Sequence, residues 1–412
     1  MTLIPTIVLA GSLATWIWLA VRLARLSGFP ALAPGGTTGD PPSGWPSLSV
    51  VVACRNEEAA VEETLASLAA QDYPGLEIIA VDDRSTDRTG ARLAALAERT
   101  PSMRVIRVEA LPAGWLGKNH ALDRGQEAAT GDLLLFTDAD VVFSPGVLRH
   151  AVAWLIGQEL GHGVVLPRMV APHFLERSFV AAFSLFFLAG LRLEDLRKAG
   201  TRAHVGVGAF NLVSAAEYRR VGGHRRLRLE VVDDMKLGLV LRRSGVRQGV
   251  IDSAGLVRVR WQQGLLATMK GLLKNFFAAS EYRWDRTLLG VFAITIATVV
   301  PAVALLAGIA RPFALAALVL GATLHALVAR RISGGTGLEG LTVPLAGFAL
   351  ALVGLTSAIL TTARRGIVWR DTRYDLRELR AACIREADWP PGGSPGAAAE
   401  ITGRHGVAAG GR

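Results

Sequence analysis

From Thr2 to Leu23 the chain is almost wholly apolar, with no charged side chain before Arg22. About 20 helical residues cross a bilayer core, so this run reads as a membrane anchor. A cleaved signal peptide carries its positive charge ahead of the apolar run. Here Arg22 and Arg25 follow it, which predicts an anchor whose C-terminal side faces the cytosol. Three more apolar runs, Leu288 to Ala310, Phe313 to Ala329 and Leu341 to Thr361, predict further membrane helices. Pro301 and Gly308 interrupt the first, which neighbouring helices can tolerate by satisfying the freed backbone.

The charges between these runs conflict with four simple crossings. Arg330 and Arg331 lie in one loop, and Arg364, Arg365, Arg370, Arg373, Arg377 and Arg380 follow the last run. Such clusters prefer the cytosolic side, yet a single crossing by Leu341 to Thr361 would separate them. One late run is therefore expected to be re-entrant or interfacial. Phe174 to Leu193 is also apolar but is bracketed by Glu176, Arg177 and Arg192. It reads as a surface or re-entrant helix, or equally as a core helix. Leu265 to Phe277, carrying Lys270 and Lys274, has the pattern of an interfacial helix.

The polar region between the first anchor and Leu288 alternates in period. Buried-strand runs are Leu48 to Ala53, Leu76 to Val81, Met103 to Val108 and Asp132 to Thr137. Helical stretches lie between them: Val61 with Leu65 and Leu68, Ala91 to Ala97, and Asn119 to Thr130. Strands alternating with helices predict a mostly parallel sheet covered on both faces. The expected layout is an anchor (1–28), a Pro/Gly-rich linker (29–46), an α/β domain with interfacial helices (47–286), C-terminal membrane helices (287–363), and a basic segment with a disordered tail (364–412).

Composition narrows the class. Of 412 residues, 51% are hydrophobic and 19% charged, below the quarter typical of soluble domains. Mean hydropathy is +0.35. The formal net charge of +10 suits either nucleic acid or an anionic membrane face. The apolar excess favours the membrane, and no nucleic-acid partner is expected. Cys54 and Cys383 are the only cysteines, which excludes a disulfide framework and a Cys-rich zinc site.

The candidate chemistry sits at strand ends, where open α/β sheets bind ligands. Asp82-Asp83-Arg84-Ser85-Thr86-Asp87 ends the second strand. One Ser or Asp there can cap the next helix, but a cap does not need two carboxylates. Asp138-Ala139-Asp140 ends the fourth strand. Hard oxygens at this spacing suit Mg²⁺ or Mn²⁺ completed by phosphates and water. Gly117-Lys118 starts a helix, where a lysine can meet a phosphate, although a surface lysine on a flexible loop has the same pattern. Asp233-Asp234 starts Met235 to Arg243, and an adjacent pair leaves one acid beyond the cap for general-base work. Gly206 to Asn211 could shape an acceptor mouth.

Together, Val52-Ala53-Cys54-Arg55-Asn56-Glu57-Glu58, Val81 to Asp87, Gly117-Lys118, Asp138-Ala139-Asp140 and Asp233-Asp234 resemble the family 2 glycosyltransferases. The resemblance covers about Ser47 to Gly245 and implies a GT-A (Rossmann-like) α/β fold. It also implies inverting transfer from a nucleotide sugar. On that pattern Ala53, Arg55, Glu57, Asp82, Asp83, Lys118 and Asp138 line the donor site, with Asp83 on uracil. Asp138 and Asp140 position a divalent metal, Mg²⁺ or Mn²⁺, on the diphosphate, and Asp234 is the base. Asp233 stands where the family usually has Glu. Processive members carry Gln-x-x-Arg-Trp; here Val257 occupies the first position before Arg260-Trp261, which argues against polymer synthesis.

The membrane layout is similar to bacterial carotenoid, hopanoid and other lipid glycosyltransferases, and Lys274-Asn275 and Gly366 to Arg370 fit that group. The expected function is transfer of a hexose, glucose, from a UDP-sugar to a membrane lipid. The expected location is the inner cell membrane, multi-pass, with the catalytic domain cytoplasmic. A membrane nucleotidyltransferase would need a basic Gly-rich loop after the first strand, where Glu57 and Glu58 stand. A non-catalytic nucleotide-binding scaffold would not need Asp234.

Overall fold

The computed structural model describes residues 3–26, 28–33, 41, 44–196, 198 and 200–388. The expected tail from Trp389 and residues 34–40 and 42–43 of the expected linker lie outside them. Twelve strands are described. They are β1 (Leu48–Cys54), β2 (Leu76–Asp83), β3 (Met103–Val108), β4 (Leu133–Asp138), β5 (Val141–Phe143), β6 (His162–Leu166), β7 (Arg168–Met169), β8 (Asn211–Ser214), β9 (Gln248–Asp252), β10 (Val257–Val259), β11 (Gly366–Trp369) and β12 (Thr372–Asp375). The α/β region holds α2 (Val61–Ala69), α3 (Thr89–Arg99), α4 (Gly117–Ala128), α5 (Val147–Gly157), α7 (Ala215–Arg220), α8 (Gly223–Arg226) and α9 (Asp233–Arg243). The apolar helices are α1 (Leu3–Leu26), α6 (Phe174–Gly190), α10 (Leu265–Ala279), α11 (Trp284–Thr298), α12 (Val300–Leu306), α13 (Arg311–Ser333) and α14 (Val343–Ala363), followed by α15 (Leu376–Ala382).

Seven strands form one sheet in the order β3-β2-β1-β4-β8-β6-β9. All run the same way except β8, which lies antiparallel between β4 and β6. Both faces are covered, so both sets of alternating side chains are apolar. Val50 and Val52 of β1 pack with Leu65 and Leu93. Val51 faces the other way, with Ile79, Leu122 and Leu237. Register brings the acidic strand ends together, because Ala53 is paired with Asp138 and Cys54 with Asp82.

Five helical segments are long and apolar enough to cross a membrane: Leu3–Arg25, Phe174–Asp195, Trp284–Leu306, Arg311–Ser333 and Leu338–Ala363. Large apolar side chains stay exposed along α1, α11, α12, α13 and α14, among them Leu3, Phe292, Leu306, Val319 and Phe348. The middle of α6 is instead enclosed, with Ala181 and Leu185 against Trp16 of α1 and Leu324 of α13. Trp16 donates its indole N–H to the Ala297 carbonyl at 2.8 Å, which ties α1 to α11.

The ends of these segments bear on the charge conflict in the sequence. β6 precedes α6 and β8 follows it, and the two pair in one sheet, so α6 leaves and returns on the same side. The chain before α14 is held to the α/β region: Arg331 pairs with Asp252 at 3.0 Å, and Glu339 with Arg177 at 2.8 Å. The chain after α14 is held there too, because Arg370 pairs with Glu57 and Asp371 with Arg55. Both ends of α14 are therefore tied by ion pairs to the rest of the chain.

Candidate active site

The site is built where β1, β2 and β4 end. Asp82 is buried; its Oδ1 accepts the Ser85 backbone N–H at 3.0 Å, shaping the turn into α3. Asp87 receives the Thr89 N–H at 2.9 Å and so takes the expected capping role. Asp83 is gripped by Arg84 at 2.8 and 3.1 Å, with Arg55 Nη1 3.5 Å from its Oδ2. Glu57, raised by burial against the pull of Arg370, faces the same strand ends.

The Asp138-Ala139-Asp140 turn is fixed from two sides. Thr64 donates its hydroxyl to the Ala139 carbonyl at 2.9 Å, and Thr137 donates to the Ala209 carbonyl at 2.7 Å. Asp138 receives Lys118 Nζ at 2.8 Å. Lys118 is set by α4, whose Asn119 donates to the carbonyls of Leu227 and Glu230. Burial opposes the lysine's charge, but Asp138, Asp233 and Asp234 hold its ammonium well above the ordinary value. Asp140 is pushed up to about 8 by burial and by the charges of Asp138 and Glu57.

Among the described residues no three His, Cys, Asp or Glu side chains group to hold a metal. The Asp138–Asp140 pair nonetheless fits a divalent ion of the Mg²⁺ type, which takes one or two carboxylates and completes its shell with phosphates and water. The crowding of negative charge at Asp140 is the strain such an ion would relieve.

The two acids at the start of α9 differ sharply. Burial alone would raise Asp233, but Lys118 Nζ at 3.5 Å and His224 Nε2 at 3.7 Å hold it at about 2. Asp234 is raised to about 6 by burial and by the neighbouring Asp233 charge. Its Oδ2 accepts the Gly208 N–H at 2.8 Å. That approach needs glycine: a Cβ on Gly206 would lie 1.8 Å from the Asp234 carbonyl oxygen, and one on Gly208 would lie 2.7 Å from Asp138 Oδ2. The expected acceptor-mouth stretch thus stands between Asp138 and Asp234.

Residues 49–214 match the family model described as glycosyl transferase family 2. The chain is 27% identical over 235 residues to the 4,4'-diaponeurosporenoate glycosyltransferase of Staphylococcus aureus (strain USA300), a match covering 56% of this chain and 60% of that relative's length. It is also similar in fold to the mannosyltransferase PcManGT from Pyrobaculum calidifontis in complex with GDP-Man and Mn²⁺. That likeness has a TM-score of 0.55 at 20% identity, covering 88% of this chain and 99% of the other. The α/β domain therefore has a GT-A fold.

Lys118, Asp138, Asp233 and Asp234 open onto a cavity of about 500 Å³. They form one end; Phe183, Phe187, Leu272, Ile294 and Leu350 from α6, α10, α11 and α14 form apolar walls. The residues expected at the donor site separate into two groups. Lys118 and Asp138 face this cavity, whereas Ala53, Arg55, Glu57, Asp82 and Asp83 do not line it.

Two contributions escaped the sequence reading. The first is the β11–β12 hairpin, part of the segment expected only to be basic, which folds back onto the ends of β1 and β2. Besides its pairs with Glu57 and Arg55, it brings the Tyr374 hydroxyl to 3.3 Å from the Gly117 N–H. The short run Ile367-Val368-Trp369 of β-branched and aromatic residues signals a short strand, but nothing local names its partner. The second is His224, which flanks Asp233; it lies between glycine and arginine with no motif around it.

Proposed function

We propose that this protein is an inverting glycosyltransferase that moves glucose from UDP-glucose to a membrane lipid. The observation that carries the reading is the single cavity with acids at one end and aromatic and aliphatic walls from membrane-type helices at the other. A polar head can reach Asp234 while its tail stays among apolar side chains. The name of the Staphylococcus aureus relative, a glycosyltransferase of a carotenoid acid, supports a lipid acceptor. The Pyrobaculum calidifontis neighbour holds GDP-Man, so the choice of uridine rests on Asp83 alone.

In the proposed reaction the acceptor oxygen attacks sugar C1 while the C1–O bond to the diphosphate breaks. The nucleoside diphosphate leaves with the bonding pair, and configuration inverts. Asp83, braced by two arginines, orients the base, and Lys118 sits beside the diphosphate. Asp234 takes the proton when the acceptor is an alcohol. Asp138 and Asp140 would hold a divalent cation, which neutralises charge on the leaving diphosphate. The apolar walls keep water from C1.

The membrane arrangement follows from the helix ends. We propose three crossings, α1, α11–α12 and α13, with α6 and α14 leaving and returning on the α/β side. Arg22, Arg25, Arg330, Arg331, Arg364 and Arg365 then all lie with the catalytic domain on the cytosolic face of the inner membrane, as the charge rule demands. The test is a donor and lipid-extract screen on the purified full chain, read by mass spectrometry. A glycosylated lipid formed with UDP-glucose supports the reading. Nucleotide transfer with pyrophosphate release, or no product from any nucleotide sugar, would overturn it.

A further inference from the structure

Lys274 of α10 stands where the acid cluster meets the apolar walls of the 500 Å³ cavity. Its ammonium lies 3.8 Å from the centre of the Trp369 ring and 3.2 Å from Asn275 Oδ1. Among the described residues it has no carboxylate within ion-pair distance. The contrast with Lys118, which touches Asp138 and Asp233 from the same cavity, is direct. Burial and the positive charge of Lys118 press Lys274 down to about 8, while Asp233, Asp138 and Asp234 at longer range pull the other way. A cation removed from bulk water without a paired anion is costly unless an anion arrives with the ligand.

The walls nearest to it say which ligand that is. Trp261, Leu272, Phe276 and Phe183 surround the space that Lys274 faces. Of the residues expected at the donor site, Lys118 and Asp138 line the far end of this cavity, whereas Arg55, Asp82 and Asp83 are not part of its lining. The aromatic face of Trp369 holds the ammonium in place without neutralising it, since a cation–π contact leaves the full charge available.

We propose that Lys274 is the specificity-determining residue for an acceptor that is a long apolar carboxylate, whose head group it pairs with while the tail runs along α6, α10 and α14. This rests on the glycosyltransferase reading above and names the acceptor class for that same site. The step balances without an added base. One carboxylate oxygen forms the bond to C1, the C1–O bond to the diphosphate breaks, and the nucleoside diphosphate leaves with the bonding pair. The product is a glycosyl ester, and no proton has to be removed from the acceptor.

The test uses the full chain in lipid nanodiscs with two probes of matched tail, all-trans retinoic acid and retinol. Binding is read by energy transfer from tryptophan, with empty discs subtracted. The native protein should favour the acid over the alcohol. Lys274→Met should abolish that preference, a loss of about tenfold or more in acid affinity, in the range of a hydrogen bond to a charged group. Lys274→Arg should keep it, and retinol affinity should stay level in both variants. UDP affinity, measured on the same samples, separates the sources of the anion. If Lys274→Met weakens UDP and leaves the acid preference intact, the lysine serves the diphosphate and the proposal fails. It fails equally if the native protein does not distinguish acid from alcohol. Failure of the glycosyltransferase reading shows differently, as absence of UDP-sugar binding while the acid preference persists.

Discussion

In the proposed mechanism Asp234 is the base that an alcohol acceptor would need, and its neighbour explains why it suits that role. Asp233 is spent on Lys118 and His224, so it stays ionised and immobile. Asp234 lines the cavity and is raised to about 6, near the value useful for a base at neutral pH. Its sign is clear: below about pH 6 the carboxyl is protonated and cannot accept. With an alcohol acceptor, kcat should therefore fall roughly tenfold per pH unit below 6 and level off above it. Asp234→Asn can still accept the Gly208 N–H, so the fold should survive. UDP binding should persist, and transfer to an alcohol should drop by roughly 10²–10⁴. Calorimetry with UDP beside initial rates checks both halves; an Asn variant that transfers to an alcohol at the native rate removes Asp234 from the mechanism. At this scale the sequence was legible where paired acids end a strand, as at Asp82 and Asp138, or start a helix, as at Asp233. It marked Lys274 on an interfacial helix but not its role, which depends on what fails to touch it.

At the scale of elements, the first four strands could be read because each is a short run rich in aliphatic side chains ended by a polar turn. Met103–Val108 matches the expected bounds, and β4 is displaced by one residue from Asp132 to Thr137. The reversal of β8 was not legible, because direction is set by where the chain re-joins the sheet after α6. The β11–β12 hairpin was invisible for a related reason: its partners Arg55 and Glu57 lie some three hundred residues upstream. This hairpin braces the donor side, so Arg370→Ala should free Glu57. UDP affinity should fall about two- to fivefold, the worth of a partly exposed ion pair, with little change in Tm. A large drop in Tm with unchanged UDP affinity would make the hairpin a support for the fold rather than for the donor.

For the whole molecule, the arginines between the apolar runs favour fewer crossings than the runs alone would give. Enclosure of α6 and the docking of both ends of α14 support the proposed three-crossing arrangement. Single cysteines at Gly335 and Arg365, introduced in a Cys383→Ser background, should label from the same side as the catalytic domain, and one at Ala307 from the opposite side. Labelling of 335 and 365 from opposite sides would restore a full crossing by α14 and undo the arrangement.

The central claim is that the carboxylates at the end of β4 serve sugar transfer from a nucleotide to a lipid in this membrane setting. Its most direct measurement follows radiolabel from UDP-glucose into the organic phase, using the full chain with membrane lipid extract. Label should reach the lipid with Mg²⁺ or Mn²⁺ present. It should fall to background in chelator and, with metal restored, in Asp140→Ala. Label that enters lipid at the native rate under both conditions would contradict the account.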